Sequence, residues 1–581
     1  MSLLDALQRS GAVRPIDLAL AHALQRIDGA ASDPVLVAAA LASYAVAQGH
    51  AAFEPDSARE LVETPIDWPD ATAWREALAR CAWIARPDRD AESDSASPLV
   101  VEDGRVYLRR YREYERRLAL ALSRLCATPA QPIHADVDAL HARLFAERDA
   151  GDAQASAALR ALESRVLLVT GGPGTGKTTT IARVLLLLAA QARAAGQASP
   201  RIALAAPTGR AADRMAGSVR RIADALRASG VDGDLCDALP ATASTLHRLL
   251  GLVPGQTRAR FDAKHPLKVD VLVVDEASMV DLPLMCKLVE ALPEGARLLL
   301  LGDRDQLPSV EAGDVLAALA DAADAAPSPD APLSGRRAHL DRGYRQTDAL
   351  VLAPVADAVR RGDVEATLAR LRTGGGGMHF HEDATDPLAP ALRDALLAAW
   401  RELRECADPR DALARANRTR LLTALRDGPQ GATQLNARIE AALAGPQRDT
   451  YFPGRLLMVT ENSARHGLFN GDVGVCVRDT DGAMLAWFEG ADGLRAFPPG
   501  ALPAHTGAFA TTVHKAQGSE FDTVWLQLPA VDTRVLSREL VYTGITRARS
   551  ALHVLGPTSS ISSALSRHAR RVSGLARRLG A

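Results

Sequence analysis

Cysteine is sparse in this 581-residue chain, and the six present (Cys81, Cys126, Cys236, Cys286, Cys406, Cys476) form no Cys-x-x-Cys pair and no Cys/His cluster. That spacing excludes zinc-ribbon, iron–sulfur and disulfide-scaffold readings and suits a reducing compartment. No apolar run approaches the roughly 20 residues a membrane helix needs; the run at 184–190 is too short. The N-terminus, Met1-Ser2-Leu3-Leu4-Asp5, carries no basic stretch leading into an apolar core, so no secretory leader is read and the chain is expected to be cytoplasmic, with no membrane partner. No repeat of solenoid period is visible. An excess of one charge is also missing. The net charge is −2, so a nucleic-acid partner would have to be met by local basic surfaces.

What remains is ordinary soluble composition, 47% hydrophobic and 24% charged, in a chain too long for one core. At its centre lies Val166-Leu167-Leu168-Val169-Thr170-Gly171-Gly172-Pro173-Gly174-Thr175-Gly176-Lys177-Thr178-Thr179-Thr180. An apolar strand stops at a glycine-rich turn closed by Lys-Thr, and a helical run follows. Small residues let backbone N–H groups curl around phosphates, and the helix directs its positive end at the anion. Lys177 can reach the terminal phosphates and the Thr178 hydroxyl can ligate Mg²⁺. The loop from Gly171 through Thr179 is the expected ATP site.

Around it the chain divides into three expected parts. Residues 1–125 read as a mostly helical docking domain: an alanine-rich helix at 34–45, an acidic stretch at 51–70, an Asp-Gly hairpin at 101–108 and a charged helix at 109–126. Residues 126–348 alternate strand and helix, with buried strands at 166–170, 202–206, 269–275 and 298–301. Residues 349–581 repeat that plan without a phosphate loop, with strands at 421–425, 524–528 and 551–554, interrupted at 450–505 by a small β-barrel. The fold class is α/β: two RecA-like layers with parallel sheets, a helical N-terminal domain and a barrel insertion. Parallel strands joined by crossover helices gather their polar ends at one sheet edge. Residues far apart in sequence can thus share one nucleotide.

Three further stretches fit that edge. Residues 271–278 end a buried strand in Asp275-Glu276. Asp275 would hold Mg²⁺ and Glu276 would polarise the attacking water; an acidic helix cap is the structural alternative. Residues 301–310 end a strand in a polar turn that offers Gln306 as a γ-phosphate sensor. Arg345 and Arg547 are candidates for a guanidinium that completes the site from outside the first layer.

These motifs, in this order, resemble a superfamily 1 helicase. Residues 206–212 (Ala-Pro-Thr-Gly-Arg-Ala-Ala), 245–251 (Thr-Leu-His-Arg-Leu-Leu-Gly) and 512–522 (Thr-Val-His-Lys-Ala-Gln-Gly-Ser-Glu-Phe-Asp) resemble its DNA-contacting and coupling motifs. Gln154 matches its adenine-reading glutamine. The phosphate loop, residues 245–251 followed by 267–281, and the N-terminal stretches 47–50 and 107–111 are similar to the RecD family, the alpha subunits of exodeoxyribonuclease V. The resemblance implies catalytic Lys177, Glu276, Gln306, Arg345 and Arg547. It implies ATP contacts from Gln154, Gly171, Gly172, Pro173, Gly174, Thr175, Gly176, Lys177, Thr178 and Thr179, and Mg²⁺ ligation by Thr178 and Asp275. DNA contacts are implied from Pro207, Thr208, Arg210, Thr245, His247, Thr512 and His514. It also implies ATP-powered 5′–3′ travel on single-stranded DNA, action at double-stranded ends, and assembly with the beta and gamma subunits.

A translocase indifferent to sequence needs phosphate contacts and stacking, and hydroxyl-bearing residues at strand ends suit this, though each also reads as a helix cap. The basic segment 251–268 reads as a pin beside DNA or as a surface loop. The arginine-rich C-terminal end, with Leu565, Val572, Leu575 and Leu579, reads as an amphipathic surface helix, or else as a DNA or partner contact. A stand-alone helicase and a non-catalytic subunit are the competing functions. No nuclease constellation is seen, so nuclease action is expected of a partner.

Overall fold

The computed structural model describes the whole chain except residues 1, 63, 94–96, 130–131, 147–151, 254–257, 326–327, 342–349, 446–449, 464, 491–492 and 581. The N-terminal part packs helices Leu3–Ser10, Pro15–Ile27 and Asp33–Ala47 on a small sheet of β1 (Ile84–Ala85), β2 (Leu99–Glu102) and β3 (Arg105–Leu108). The β2–β3 turn is Asp103-Gly104, both at positive φ (50° and 79°), the geometry that matches the twist of a two-residue hairpin. Leu7, Leu41, Trp74, Leu99 and Val106 fill this core.

The central sheet contains β4 (Val166–Gly171), β5 (Ile202–Ala206), β6 (Ser244–Thr245), β7 (Val271–Val274), β8 (Arg297–Gly302) and β9 (Arg337–Leu340). Its order is β6-β5-β7-β8-β4-β9 and every pairing is parallel. Successive side chains of β4, β7 and β8 enter opposite faces. Leu167, Val169, Val273 and Leu299 meet Ile181, Leu185 and Leu186 of the helix Lys177–Ala194. Val166, Leu168, Leu272 and Leu300 meet Leu118, Leu122 and Leu125 of the helix Arg109–Ala127. The helix at the end of the expected docking domain is thus physically part of the central sheet's core.

The second sheet contains β10 (Met378–Glu382) and β11 (Thr419–Thr423). Next come β12 (Leu456–Val459), β13 (Val473–Arg478), β14 (Met484–Gly490), β15 (Gly493–Phe497) and β16 (His505–Gly507), which belong to an insertion. Then β17 (Ala510–Thr512), β18 (Phe521–Gln527) and β19 (Ala548–Gly556) complete the sheet. The main sheet runs β10-β19-β18-β11-β17, all parallel. Where a barrel was expected, the insertion is a five-stranded antiparallel sheet, β15-β14-β13-β12-β16, whose end strands are not paired to each other among the described residues.

The C-terminal end departs from the expected surface helix. Helix Thr558–Ser566 stops, an irregular segment follows, and a single turn, Leu575–Arg578, ends the chain. Leu565 is buried in the second layer's core, while Leu575 and Leu579 are buried in the central one. Tertiary partners override the local helical pattern. Val572 N–H donates to Nδ1 of His50 (3.0 Å), and its carbonyl accepts from Ala51 N–H (2.9 Å). Glu115, fully buried, accepts from the Ser573 hydroxyl (2.6 Å), Gly574 N–H (3.0 Å) and the Tyr107 hydroxyl (3.1 Å). Arg578 pairs with Glu102. The tail thereby fastens the N-terminal part to both layers.

This latch has an expected pH dependence. Burial, with Arg571 and Arg534 nearby, pushes the His50 imidazole down from 6.5 to about 4. The neutral ring is the form that accepts from Val572, so the unfolded chain binds the extra proton first. The stabilisation is full above pH 6.5 and is lost as pH falls toward 4, amounting to on the order of 2 kcal/mol by about pH 5. Thermal melting between pH 7 and 4 should show a steeper decline for the native chain than for His50→Asn, whose amide oxygen accepts without titrating. Equal slopes would refute the assignment.

Candidate active site

The phosphate loop follows β4 with Gly174 and Gly176 in the left-handed region (φ 79° and 81°). A side chain at Gly176 would strike the Gln154 amide, so glycine is required there twice over. Helix Lys177–Ala194 starts directly after it, leaving its first N–H groups without intrahelical partners. The Lys177 ammonium donates to the carbonyls of Gly171 (2.6 Å) and Gly172 (2.9 Å). Thr175 Oγ1 donates to the Gly172 carbonyl (2.9 Å).

Pro173, Gly174, Thr175, Gly176, Lys177, Thr178 and Thr179 form one wall of a cavity of about 150 Å³. Asp275, Glu276, Asp303 and Gln306, from the ends of β7 and β8, form the second wall. Arg547, from the second layer just before β19, closes it. Three separated stretches of sequence therefore converge at the carboxyl edge of one sheet, as parallel topology requires, and a fourth reaches them from the second layer. Arg345 lies outside the described residues.

Glu276 sits in the left-handed region (φ 52°, ψ 42°), rare for a non-glycine residue and a conformation held by its surroundings. Its N–H donates to Asp275 Oδ1 (2.9 Å) and its carboxylate accepts from Arg214 Nη2 (2.7 Å). Burial alone would raise its pKa, but Arg214, Arg547 and Lys177 outweigh burial and hold it below the ordinary range. Asp275 is shifted up by burial and by the adjacent Glu276 charge. Gln306 Nε2 donates to Asp303 Oδ2 (3.1 Å), and Tyr542 from the second layer donates its hydroxyl to the same oxygen (3.0 Å). Leu307 joins the layers at its backbone, its N–H donating to Thr543 Oγ1 (2.9 Å) and its carbonyl accepting from Gln517 Nε2 (2.9 Å). Arg547 is 2% exposed. Its Nε and Nη1 donate to the Thr543 and Ser519 carbonyls, and its buried Nη2 has no partner among the described residues.

The donor set suits a magnesium nucleotide. Thr178 and Asp275 offer one hydroxyl and one carboxylate in the same cavity. No group of three or more potential protein ligands occurs among the described residues. Two protein ligands suit a cation that keeps waters and phosphate oxygens for the rest of its shell. A second cavity of about 220 Å³ continues from Gly172–Thr175 and is lined by Leu340, Leu350, Leu352 and Ala356 with Tyr542, apolar enough for the flat face of a base. Gln154 lies behind the loop, donating to the Thr175 carbonyl (2.8 Å), and lines neither cavity.

The residues expected to meet DNA occupy other strand ends. Pro207 and Thr208 follow β5, Thr245 ends β6 and Thr512 ends β17. The hydroxyls of Thr208, Thr245 and Thr512 accept from the N–H groups of Ala211, Arg248 and Lys515 (each 3.3 Å), so all three act as caps in this structure. The sheet order separates them from the nucleotide cavity: β6 and β5 lie at one end of the central sheet, β4 toward the other. A side chain at Gly518 would stand 3.8 Å from Thr208 Oγ1, which puts the two layers' motifs against each other. His247 is exposed and His514 half-buried. Arg210 is half-buried, shifted down by burial and drawn up by Asp472 and Glu489 of the insertion. Sequence reasoning missed Arg214 and Tyr542. Arg214 has no motif of its own; only its place one helical turn beyond Arg210 on the same helix could have flagged it. Tyr542 lies on the helix Arg538–Ile545, which leads directly into Arg547.

Comparison with known proteins gives a consistent result. A family model described as the AAA domain matches residues 154–312, and one described as the UvrD-like helicase C-terminal domain matches residues 507–555. A third, the N-terminal domain of RecBCD enzyme subunit RecD, matches residues 9–107. The chain is 40% identical over 589 residues to the RecBCD enzyme subunit RecD of Mycobacterium tuberculosis, covering 99% of this chain and 96% of that one. It is 38% identical over 597 residues to that of Mycolicibacterium smegmatis, covering 100% and 99%. It is 30% identical over 539 residues to the ATP-dependent RecD2 DNA helicase of Deinococcus radiodurans, covering 90% of this chain and 63% of that one.

Proposed function

We propose, from the premise that the chain belongs to the RecD family of RecBCD enzyme subunits, that it is the ATP-dependent 5′–3′ DNA helicase subunit of an exodeoxyribonuclease V complex. In this reading it acts at double-strand break ends in recombinational repair, beside beta and gamma subunits that supply the nuclease. Two RecA-like layers form the motor, and the five-stranded antiparallel sheet of the insertion is a module added to the second layer. The observation that carries the reading is the convergence of Lys177, Asp275, Glu276 and Gln306 from one layer with Arg547 from the other around one cavity.

In the cycle, Lys177 leaves the Gly171 and Gly172 carbonyls for the β- and γ-phosphates, and the loop N–H groups surround them. Mg²⁺, when bound at Thr178 and Asp275, neutralises charge developing on the phosphates. Glu276, held ionised by Arg214, accepts the proton of the lytic water. Gln306 orients that water, and Arg547 and Arg345 stabilise the charge on the transferring group. The base rests in the larger cavity between Leu340 and Tyr542. Gln154 positions the loop from behind. Loss of the γ-phosphate removes the anion that draws Arg547 to the first layer, and the layers separate. Pro207, Thr208, Arg210, Thr245, His247, Thr512 and His514, divided between the layers, convert that separation into a step along single-stranded DNA.

Strand displacement on duplexes with a 5′ or a 3′ tail tests the proposal. The chain, alone and with co-purified subunits, should open only 5′-tailed substrates. Displacement confined to 3′ tails would overturn the polarity. Full processivity of the lone monomer would favour a stand-alone helicase.

A further inference from the structure

A third cavity, of about 380 Å³, lies between the layers and beneath the C-terminal tail; it shares Arg360 and Tyr542 with the larger of the cavities assigned to ATP and touches no residue of the phosphate loop. Its walls come from helix Val315–Asp324 of the first layer, helices Ala353–Arg361 and Arg538–Ile545 of the second, and the tail from His568 to Ala576. Five arginines line it. The carboxylates in the same walls are largely engaged: Asp321 by Arg304 (2.6 Å), Asp305 by Arg360 (3.5 Å) and Glu539 by His568 (2.6 Å). Asp314, half-buried, is pushed up to about 6 by burial, with Arg571 near enough to draw it back down. Arg538 and Arg570 make no ion pair among the described residues, and Arg571 has only the longer-range attraction of Asp314 and Glu311. Arg538 Nη1 donates only to the Arg360 carbonyl (3.4 Å) and its buried Nε has no partner. Arg571 Nη1 donates to the Glu311 carbonyl (2.5 Å).

Two guanidiniums without an ion-pair partner, and a third with only longer-range carboxylates, around a space of small-ligand size suit a compact oxyanion. We infer that this cavity is a second anion site, distinct from the phosphate loop, that takes a small phosphate-bearing molecule of about the size of pyrophosphate. A nucleic-acid strand suits it poorly. It is bounded by both layers and the tail, and it offers only two rings, Tyr542 and His568, where strand-binding grooves use a series of stacking faces.

The site is wired to the motor. Tyr542 borders this cavity, and its hydroxyl donates to the Asp303 oxygen that also holds Gln306. An anion gripping helix Arg538–Ile545, the tail and the first-layer helix together favours one placement of the two layers. It therefore biases ATP turnover by differential binding to open and closed forms.

The test uses the full chain with its phosphate loop saturated by a magnesium complex of a non-hydrolysable ATP analogue. Labelled pyrophosphate in equilibrium dialysis should fill one further site per chain, with inorganic phosphate competing. Affinity should fall by about tenfold or more in Arg538→Ala and in Arg570→Glu, the loss of a charge-assisted contact; Arg570 is exposed, so its variant keeps the fold. No saturable binding, equal binding in both variants, or displacement by oligothymidylate in place of phosphate would each overturn the site. The dialysis does not depend on the proposed motor function. A second readout does: DNA-stimulated ATP hydrolysis should respond to pyrophosphate in the native chain and not in Arg570→Glu. An unaltered rate with intact binding would overturn the link to Gln306 while leaving the helicase reading to the strand-displacement assay.

Discussion

Arg547→Ala is expected to lower DNA-stimulated ATP turnover by about 10³-fold or more, the range for removing an arginine that stabilises a transferring phosphoryl group, and so to raise the barrier by roughly 4 kcal/mol or more. The side chain comes from the second layer into a cavity built by the first, and it keeps one buried N–H group uncommitted. A group so placed contributes most when the layers close on the nucleotide. Arg547→Lys should rescue little, since an ammonium keeps the charge but loses the fork that holds both backbone carbonyls. The measurement is kcat beside the affinity for a fluorescent ATP analogue. A drop in kcat with affinity held within about threefold supports a transition-state role. If kcat held and only the melting temperature fell, Arg547 would be a structural pin of the Thr543–Ser519 corner.

Glu276→Gln should reduce turnover by about 10²- to 10⁴-fold, the contribution of a positioned general base, with ATP binding retained and strand displacement abolished. The amide is nearly isosteric and can still accept from Arg214, so the left-handed backbone and the Asp275 contact should persist. That makes the substitution a test of proton acceptance more than of architecture. Arg214→Ala is the informative companion, because it removes the partner that orients Glu276. It should lower kcat by less than Glu276→Gln does. Unwinding by purified Glu276→Gln at the native rate would remove Glu276 from the mechanism.

The parts legible in sequence were those whose signal is local. An apolar run ending at Gly171 to Thr178 announces a strand, a loop and a helix whatever surrounds them. The same holds for residues 271–276 and for the Asp103-Gly104 turn. Sheet order was not legible, because strands such as β9, β10 and β17 are too short or too polar to stand out, yet β9 pairs directly with the phosphate-loop strand. Arg214 and Tyr542 were missed because their roles come from partners distant in sequence. The tail misled for the opposite reason. Its leucines keep near-helical spacing, but Leu565 belongs to one core and Leu575 and Leu579 to another. Only the contacts of His50, Ala51 and Glu115 show where the segment between them goes.

Glu115 also has a consequence in time. Its carboxylate is fully enclosed, and two of the residues that satisfy it, Ser573 and Gly574, lie within the last ten positions of the chain. During synthesis the helix that carries Glu115 emerges early, and N-terminal domains ordinarily fold as they emerge. Here that helix would bury an uncompensated charge if it packed on schedule. The N-terminal part therefore completes its packing only once Ser573 and Gly574 have emerged.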